Sequence, residues 1–366
     1  VSDAGASDVD VAMMALALAE ARKGLGHTSP NPAVGCVIVR GDRVLAVGHH
    51  ARAGGPHAEI VALNSVRASE AHGSTVYVTL EPCCHRGKTP PCTDAVIAAR
   101  PARVVIGTRD PNPRVAGRGI RALRDAGIEV HLGVSERECR EVVRGFMKWV
   151  RTGRPWVQLK LAASLDGRIA TRTGASKWIS SQASRRLVQQ MRRRADAVLV
   201  GVGTVLADDP RMSCRIAGAR QPLRVVLDRR LRTPADARVV RGPGACLVVC
   251  GRNASARKRR ALEAAGAQVL ESPASEQAGW RALLAELGRR GAHELLVEGG
   301  GAVAASALRA RVVNGLTFFY NPRLIGGDGI AMVGPLGVVD PKRALRVITE
   351  SWGTSGPDLV WNGVIE

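Results

Sequence analysis

The run Thr75-Val76-Tyr77-Val78-Thr79-Leu80-Glu81-Pro82-Cys83 and, after eight intervening residues, Cys92-Thr93-Asp94-Ala95-Val96-Ile97-Ala98-Ala99 decides the architecture of the first half. β-Branched and aromatic residues predict a strand over 75–80, and the second stretch predicts a helix over 93–99. Upstream, His57-Ala58-Glu59 opens a predicted helix over 57–66. Before it, β-rich runs at 34–39 and 44–47 flank Gly41-Asp42, a turn signal that makes them a hairpin. Residues 8–23 have helical periodicity with an acidic start and a basic end, as a helix dipole prefers. Downstream come a strand (104–107), a Pro/Gly-rich loop (110–119), a helix (120–126), a strand (128–132) and a helix (136–150). Strands alternating with helices imply an α/β layered domain.

Arg151-Thr152-Gly153-Arg154-Pro155 breaks that pattern, so the boundary is placed there, giving domains 1–153 and 154–366. Strand–helix alternation then resumes, with strands expected at 156–162, 198–202, 223–228, 246–250, 268–270 and 294–298. No repeat links the two halves, which predicts two different folds.

The chain has 366 residues, more than one compact domain usually holds. Hydrophobic residues at 45% and charged residues at 23% fit a globular protein, and only 3% aromatics leave the core to Val, Leu, Ile and Ala. The formal charge of +21 attracts nucleic acid, but equally phosphorylated substrates and cofactors. Arginines are dispersed, with short clusters at 192–194 and 258–260 and no aromatic-interleaved basic strand, so nucleic acid is not the expected partner. Eight cysteines in such a chain do not make a disulfide scaffold. Residues 1–11 lack the basic start and apolar core of a signal peptide, and no apolar run suits a bilayer. A cytoplasmic protein with reduced thiols and no membrane partner is expected.

The chemistry lies in His57, Cys83 and Cys92. Three ligands of this kind suit zinc and leave the fourth position open, as in a catalytic rather than a structural site. Zinc lowers the pKa of bound water towards neutrality. Glu59, two residues after His57 in the same turn at the helix start, is read as the proton shuttle rather than a ligand. Cys84 could compete for the metal, but in an extended segment its side chain points away from that of Cys83. A capping His and two packing cysteines would be the bland alternative; the joint pattern is far rarer.

His-x-Glu with a later Pro-Cys and Cys resembles the cytidine-deaminase-like superfamily. The long Cys83–Cys92 spacing departs from that superfamily's short one. Together with Pro30-Asn31-Pro32-Ala33-Val34-Gly35 and Asp110-Pro111-Asn112-Pro113, it resembles the bifunctional riboflavin-biosynthesis deaminase/reductase family. The resemblance runs almost the full length: 160–167 (KLAASLDG), Trp178-Ile179, 204–210 (TVLADDP) and Glu298-Gly299-Gly300 look like its reductase half. It implies a cytidine-deaminase-like three-layer domain followed by a dihydrofolate-reductase-like domain. The implied reactions are zinc-dependent deamination of a phosphorylated diaminopyrimidinone and NADPH-dependent reduction of its ribosyl group.

By the same resemblance, Asn31, His49, His85 and Lys88 would contact the first substrate, although Lys88 alone reads equally as a solvated loop cation. Ala162, Trp178, Thr204, Asp208 and the run Gly300, Gly301, Ala302, Val303, Ala304, Ala305 and Ser306 would contact NADPH. Ser176, Arg192, Met212, Arg215 and Glu298 would contact the second substrate, the two guanidiniums suiting phosphate oxygens. Asp208 and Glu298 are candidates for protonating the opening sugar ring. Cys84, Arg86, Met212 and Arg229 depart from the family's usual residues, and no role is assigned to Arg229. A homo-oligomer, dimer or tetramer, is implied. A nucleic-acid base deaminase would also use the charge, but the long insertion and the Glu298-Gly299-Gly300 element argue against it. A zinc-stabilised binding module would make Glu59 dispensable.

Overall fold

The computed structural model describes residues 7–86 and 90–366. These divide into two compact units between Gly153 and Arg154.

The first unit begins with α1 (Asp8–Gly24). Ser7 caps it through a reciprocal capping box with Asp10, and Met14, Ala17, Leu18 and Ala21 form its buried stripe. There follow β1 (Gly35–Arg40), β2 (Arg43–His49), α2 (Ala58–Leu63), α3 (Ala68–Ala71), β3 (Thr75–Leu80), α4 (Cys92–Ala99), β4 (Arg103–Thr108), α5 (Arg118–Asp125), β5 (Glu129–Leu132), α6 (Glu136–Val142) and α7 (Arg144–Thr152). The sheet runs β2-β1-β3-β4-β5. The β1–β2 hairpin and β1–β3 are antiparallel, whereas β3, β4 and β5 are parallel.

Close-approach glycines show how the helices lie. A Cβ on Gly35 would fall 2.0 Å from the Ala17 carbonyl oxygen of α1. Across the next residue pair, Cys36↔Gly48, a Cβ on Gly48 would fall 2.4 Å from the Ala58 carbonyl oxygen of α2. Successive strand residues face opposite ways, so α1 and α2 cover opposite faces of the sheet. Three layers result. The helix expected over 136–150 is two helices, because Val143 leaves helical geometry (φ −103°, ψ 14°) after the β-branched Val142.

The second unit contains β6 (Trp156–Ser164), β7 (Arg168–Ala170), α8 (Gln182–Arg194), β8 (Ala197–Gly201), α9 (Val202–Asp208), β9 (Leu223–Leu227), α10 (Arg238–Arg241), β10 (Cys246–Gly251), α11 (Ala256–Ala264), β11 (Ala267–Ser272), α12 (Glu276–Arg289), β12 (Glu294–Val297), α13 (Gly301–Arg309), β13 (Gly315–Asn321), β14 (Ile330–Ala331), β15 (Val347–Ser355) and β16 (Asp358–Ile365). Its sheet has the order β11-β10-β9-β8-β12-β6-β13-β16-β15. It is parallel from β11 to β13 and antiparallel beyond.

Alternate residues of the parallel strands feed separate cores. Leu199, Val225, Leu247 and Leu295 pack with Leu283, Leu287, Ala304 and Leu308 of α12 and α13. Val198, Val226, Val248 and Leu296 pack with Val205, Val239 and Leu262 on the other face. Strands buried on both faces read as continuous apolar runs, which is why they were visible in the sequence. Strands β13, β15 and β16 were not among those expected. Among the described residues no helix is long and apolar enough to cross a membrane.

Candidate active sites

In the first unit the ends of β3, α2 and α4 converge. His57 is the N-cap residue of α2, and Cys92 is the first residue of α4. Cys83 lies in the turn after β3, stitched to α4 by the Cys92 amide donating to its sulfur (3.4 Å) and the Thr93 amide donating to its carbonyl (3.2 Å). His57 Nδ1 stands 3.1 Å from Cys92 Sγ and 3.6 Å from Cys83 Sγ, and the three ligand atoms lie within 4.8 Å of one another. Tetrahedral zinc with ordinary Zn–N and Zn–S bonds separates such atoms by roughly 3.6 Å, so the trio fits the metal through Nδ1. Among the described residues it is the one His/Cys/Asp/Glu group with that geometry. Hydrogen bonds from Cys92 and then His57 outweigh burial and hold the Cys83 thiol down, the direction a metal ligand needs.

Glu59 is buried beside the trio, and burial pushes its carboxyl up to about 7. A bound dication would pull it back down. Cys84 turns away, its Sγ donating to the Arg114 carbonyl at 3.7 Å. Behind the cysteines, Glu81 accepts the amides of Gly117, Ile120 and Asp110, which fixes the loop after β4 and the start of α5.

The histidine beside the trio is His50, which the sequence reading passed over. Its ring packs edge-on against that of His57, with centroids 5.3 Å apart. Its Nδ1 donates to the Pro56 carbonyl (2.9 Å), so Nε2 accepts from Asn31 Nδ2 (3.1 Å). His49 is not brought to this site. It shares the face of β2 that meets α1, where Nδ1 lies 3.0 Å from Glu20 Oε2. One residue along a strand reverses the face, and that slip separates the two histidines. His85 Nδ1 is buried with no partner among the described residues. Lys88 lies outside the described residues.

In the second unit Arg192 clamps Glu298 through Nε (2.6 Å) and Nη2 (3.0 Å), both side chains being largely withdrawn from solvent. Arg192 also reaches the Ser213 carbonyl and, at 3.8 Å, Met212 Sδ. Burial alone would raise the Glu298 carboxyl, but the charge of Arg192, then its hydrogen bonds, with Lys160 and Arg215 behind them, hold it below the carboxylate range. Lys160, another residue given no role from sequence, is half-buried on β6 with its ammonium 5.4 Å from the Phe319 ring. Burial lowers its pKa despite the attraction of Glu298.

Trp178 is exposed and stacks on the Arg185 guanidinium at 4.5 Å. The preceding Lys177 lies 4.0 Å from Asp208. Ser176 accepts the Ile179 amide in the same loop, and Arg215 is tied by its own amide to Gln189. Ala162 pairs with Phe319 in the sheet.

Gly300 caps α13 without any side-chain bond to the helix amides, and a Cβ on it would approach Thr204 Oγ1 at 4.0 Å. Such an uncapped N-terminus suits a phosphate. Gly301 is pressed against the Ala331 carbonyl, where a Cβ would fall at 2.5 Å. Ala302, Val303 and Ser306 line a cavity, while Ala304 and Ala305 turn into the protein and offer only their backbone. This arrangement fits a phosphate-bearing dinucleotide.

Comparison with known proteins agrees with both halves. Residues 7–108 match the cytidine and deoxycytidylate deaminase zinc-binding region, and residues 155–361 match the RibD C-terminal domain. The riboflavin biosynthesis protein RibD of Aquifex aeolicus is 40% identical over 96% of this chain and 98% of its own length. That of Escherichia coli is 41% identical over 86% of this chain and 88% of its own. Among solved structures, the Thermotoga maritima diaminohydroxyphosphoribosylaminopyrimidine deaminase / 5-amino-6-(5-phosphoribosylamino)uracil reductase superposes with a TM-score of 0.86. It has 36% identity and covers 98% of this chain and 99% of its own. Acinetobacter baumannii RibD gives the same TM-score, identity and coverage. The α/β fold is thus a cytidine-deaminase-type domain followed by a dihydrofolate-reductase-like one. Likeness of that depth, over nearly the whole of both partners, means that this chain belongs to the RibD family of bifunctional deaminase/reductase enzymes of riboflavin biosynthesis.

Proposed function

We propose that the chain carries out two consecutive steps of riboflavin biosynthesis, each in its own unit. In the first, a diaminopyrimidinone bearing a ribosylamino phosphate loses an amino group as ammonia and becomes the aminouracil. In the second, NADPH reduces the ribosyl group to a ribityl chain. The observation that carries this reading is the trio His57, Cys83 and Cys92 with a buried Glu59 beside it, in a chain that continues into a reductase domain.

When bound, zinc supplies a Lewis acid that makes water nucleophilic near neutral pH. Glu59 takes a proton from the attacking water and returns one to the departing amine. His50 holds the Asn31 amide so that its carbonyl oxygen is left for a pyrimidine N–H, which transfers to His50 the role given above to His49. His85 and Lys88 complete the substrate pocket, Lys88 toward the phosphate.

In the second unit the first turn of α13 and the neighbouring Thr204, Trp178, Ala162 and Asp208 hold the cofactor. Arg192, Arg215, Ser176 and Met212 position the sugar phosphate. Glu298 is a poor acid, because Arg192 keeps it ionised. Lys160, an ammonium that burial makes more willing to give up its proton, is the better donor to the opening ring oxygen. Eight unpaired cysteines support a reducing, cytoplasmic setting, and we take the enzyme to be a homo-oligomer, as the family resemblance implies.

The test supplies the zinc-loaded protein with the diaminopyrimidinone phosphate. Ammonia release without NADPH, then NADPH oxidation once it is added, is the expected order. Glu59→Gln should keep its zinc and lose ammonia release by about 10²–10⁴-fold. Full ammonia release by that variant would overturn the assignment.

A further inference from the structure

Helix α8 links the groups read above as contacts of the second substrate. Arg192 lies on it and clamps Glu298, and Gln189 accepts the Arg215 amide at 2.8 Å. Arg185 stacks on Trp178 while its Nη1 donates to the Ser180 carbonyl at 2.6 Å. The loop with Ser176 and Trp178 runs directly into the first turn of the helix. Yet Val188 is the only fully buried apolar side chain along α8, packed with Phe319 and Val360. Apolar packing is non-directional, so one such contact does not fix how far a helix slides along its axis. A polar seat has to set that register.

Asp358, the first residue of β16, supplies it from the far end of the chain and is fully buried. Its Oδ2 accepts the Ser181 amide (2.8 Å) and the Ser184 hydroxyl (2.5 Å), and its Oδ1 accepts from Asn321 Nδ2 (2.6 Å). Ser181 is the N-cap of α8, and its hydroxyl donates to the Ser355 carbonyl (3.0 Å) across the same hairpin turn. Gly356 in that turn takes φ +61°, and a Cβ on it would fall 3.3 Å from Ala183 Cβ. The β15–β16 turn is thus pressed against the start of the helix. Burial would raise the Asp358 carboxyl, but the bonds from Ser184, then Ser181 and Asn321, hold it below the carboxylate range. Its donors are neutral, and it makes no ion pair among the described residues. A buried charge held so adds little stability, because its desolvation offsets what the bonds return. Geometry is what it contributes.

We propose that Asp358 is a positioning residue of the reductase half: it fixes the axial register of α8 and, through it, the places of Arg192, Arg215 and Trp178. The inference rests on the reductase reading of the second unit. Among the described residues the hydrogen bonds of the Asp358 carboxylate go to Ser181, Ser184 and Asn321, so it acts on those three side chains only through the helix. A slide of about 1 Å is enough to cost on the order of 10²-fold in rate when it misplaces groups that orient a substrate. The start of α13, read above as the cofactor's seat, takes no bond from Asp358. Loss of the anchor therefore acts on turnover of the sugar substrate more than on cofactor affinity.

The test uses the full-length, zinc-loaded protein and three readouts: NADPH oxidation with the ribosylaminouracil phosphate, NADPH affinity by calorimetry, and ammonia release by the first unit. Asp358→Ala should lower the reductase kcat/KM by about 10²-fold, keep the NADPH Kd within about threefold and leave ammonia release at the wild-type level. Asp358→Asn keeps an acceptor for Ser181 and Ser184, with the Asn321 amide turned about, and should stay within about tenfold of wild type. Ser184→Ala removes one bond and keeps the carboxylate, so it should lower kcat/KM by about three- to tenfold. That variant carries the test if Asp358→Ala fails to fold. A kcat/KM within about twofold of wild type in the variant that carries the test overturns the inference. So does a fall in NADPH affinity or in ammonia release as deep as the fall in turnover, which would make Asp358 a structural residue only. If wild type oxidises no NADPH with this substrate, the reductase reading itself falls and the inference with it.

Discussion

The main-chain amide of Gly117 lies 2.9 Å from Oε1 of Glu81, a buried carboxylate two residues before Cys83. The same side chain takes the amides of Ile120 at 3.2 Å and Asp110 at 3.3 Å. It thereby joins the turn that carries a metal ligand to the loop after β4. Gly119 permits the close approach, since a Cβ there would fall 2.2 Å from the Pro82 carbonyl oxygen. Glu81→Ala would leave these amides without an acceptor, at a cost of about 2–4 kcal/mol. Denaturant unfolding of the zinc-loaded protein measures it. Zinc should stay at one per chain, because none of these bonds goes to a ligand. A variant of wild-type stability would show that the loop holds its shape without Glu81.

The neighbouring cysteines separate a ligand from a bystander. Cys92 Sγ faces His57, whereas Cys84 Sγ faces the Arg114 carbonyl. Cys92→Ser should weaken zinc binding by at least about tenfold in chelator competition, more than loss of a supporting outer-shell group typically does at its mildest. Cys84→Ser should retain wild-type affinity. The reverse pattern would move the ligand by one or more residues and undo the site as drawn.

Much of this was legible because motif and periodicity agree. The strand over 75–80 and the ligand trio follow from β-branched composition and residue spacing alone. The histidine did not, since choosing between His49 and His50 needs the register of β2, which composition does not carry. Helix α8 escaped because only Ser184 and Val188 are buried along it and five of its thirteen residues are arginine, so no apolar stripe shows. Strand β15 is exposed at every residue except Ser355, so it has no alternation to read. Lys160 within β6 and Asp358 at the start of β16 are ordinary letters beside apolar runs. Their meaning comes from burial and from partners distant in sequence.

The Arg192–Glu298 clamp makes a double-mutant cycle informative. Glu298→Ala leaves a buried guanidinium uncompensated and should destabilise by about 3–5 kcal/mol. Arg192→Met should cost a similar amount by stranding the carboxylate. Replacing both with apolar residues should cost less than the sum, because the desolvation penalty then disappears from both partners. Additive losses would mean that the two charges are not coupled in the folded protein.

Asp10 gives the first unit a pH signature. It is 2% exposed, accepts the Tyr77 hydroxyl at 2.9 Å and is held by Arg103 Nη1 and Nη2 at 2.7 and 3.0 Å. Burial alone would raise its carboxyl, but the bonds from Arg103, then Tyr77 and Ser7, bring it to about 2. A depressed folded-state pKa stabilises the protein fully above the unfolded value, near 4, and that stability is lost as pH falls through the folded one. A shift of this size corresponds to about 2 kcal/mol at pH 7. Asp10→Asn should therefore lie below wild type by about that amount at pH 7, with the gap closing between pH 4 and 2 as wild-type Asp10 takes up its proton. Comparing the two proteins at each pH cancels protonation of every other group, the zinc ligands included. A gap that stays constant down to pH 2 would mean that the carboxylate's charge contributes nothing and that its hydrogen-bonding shape alone holds Tyr77 and Arg103.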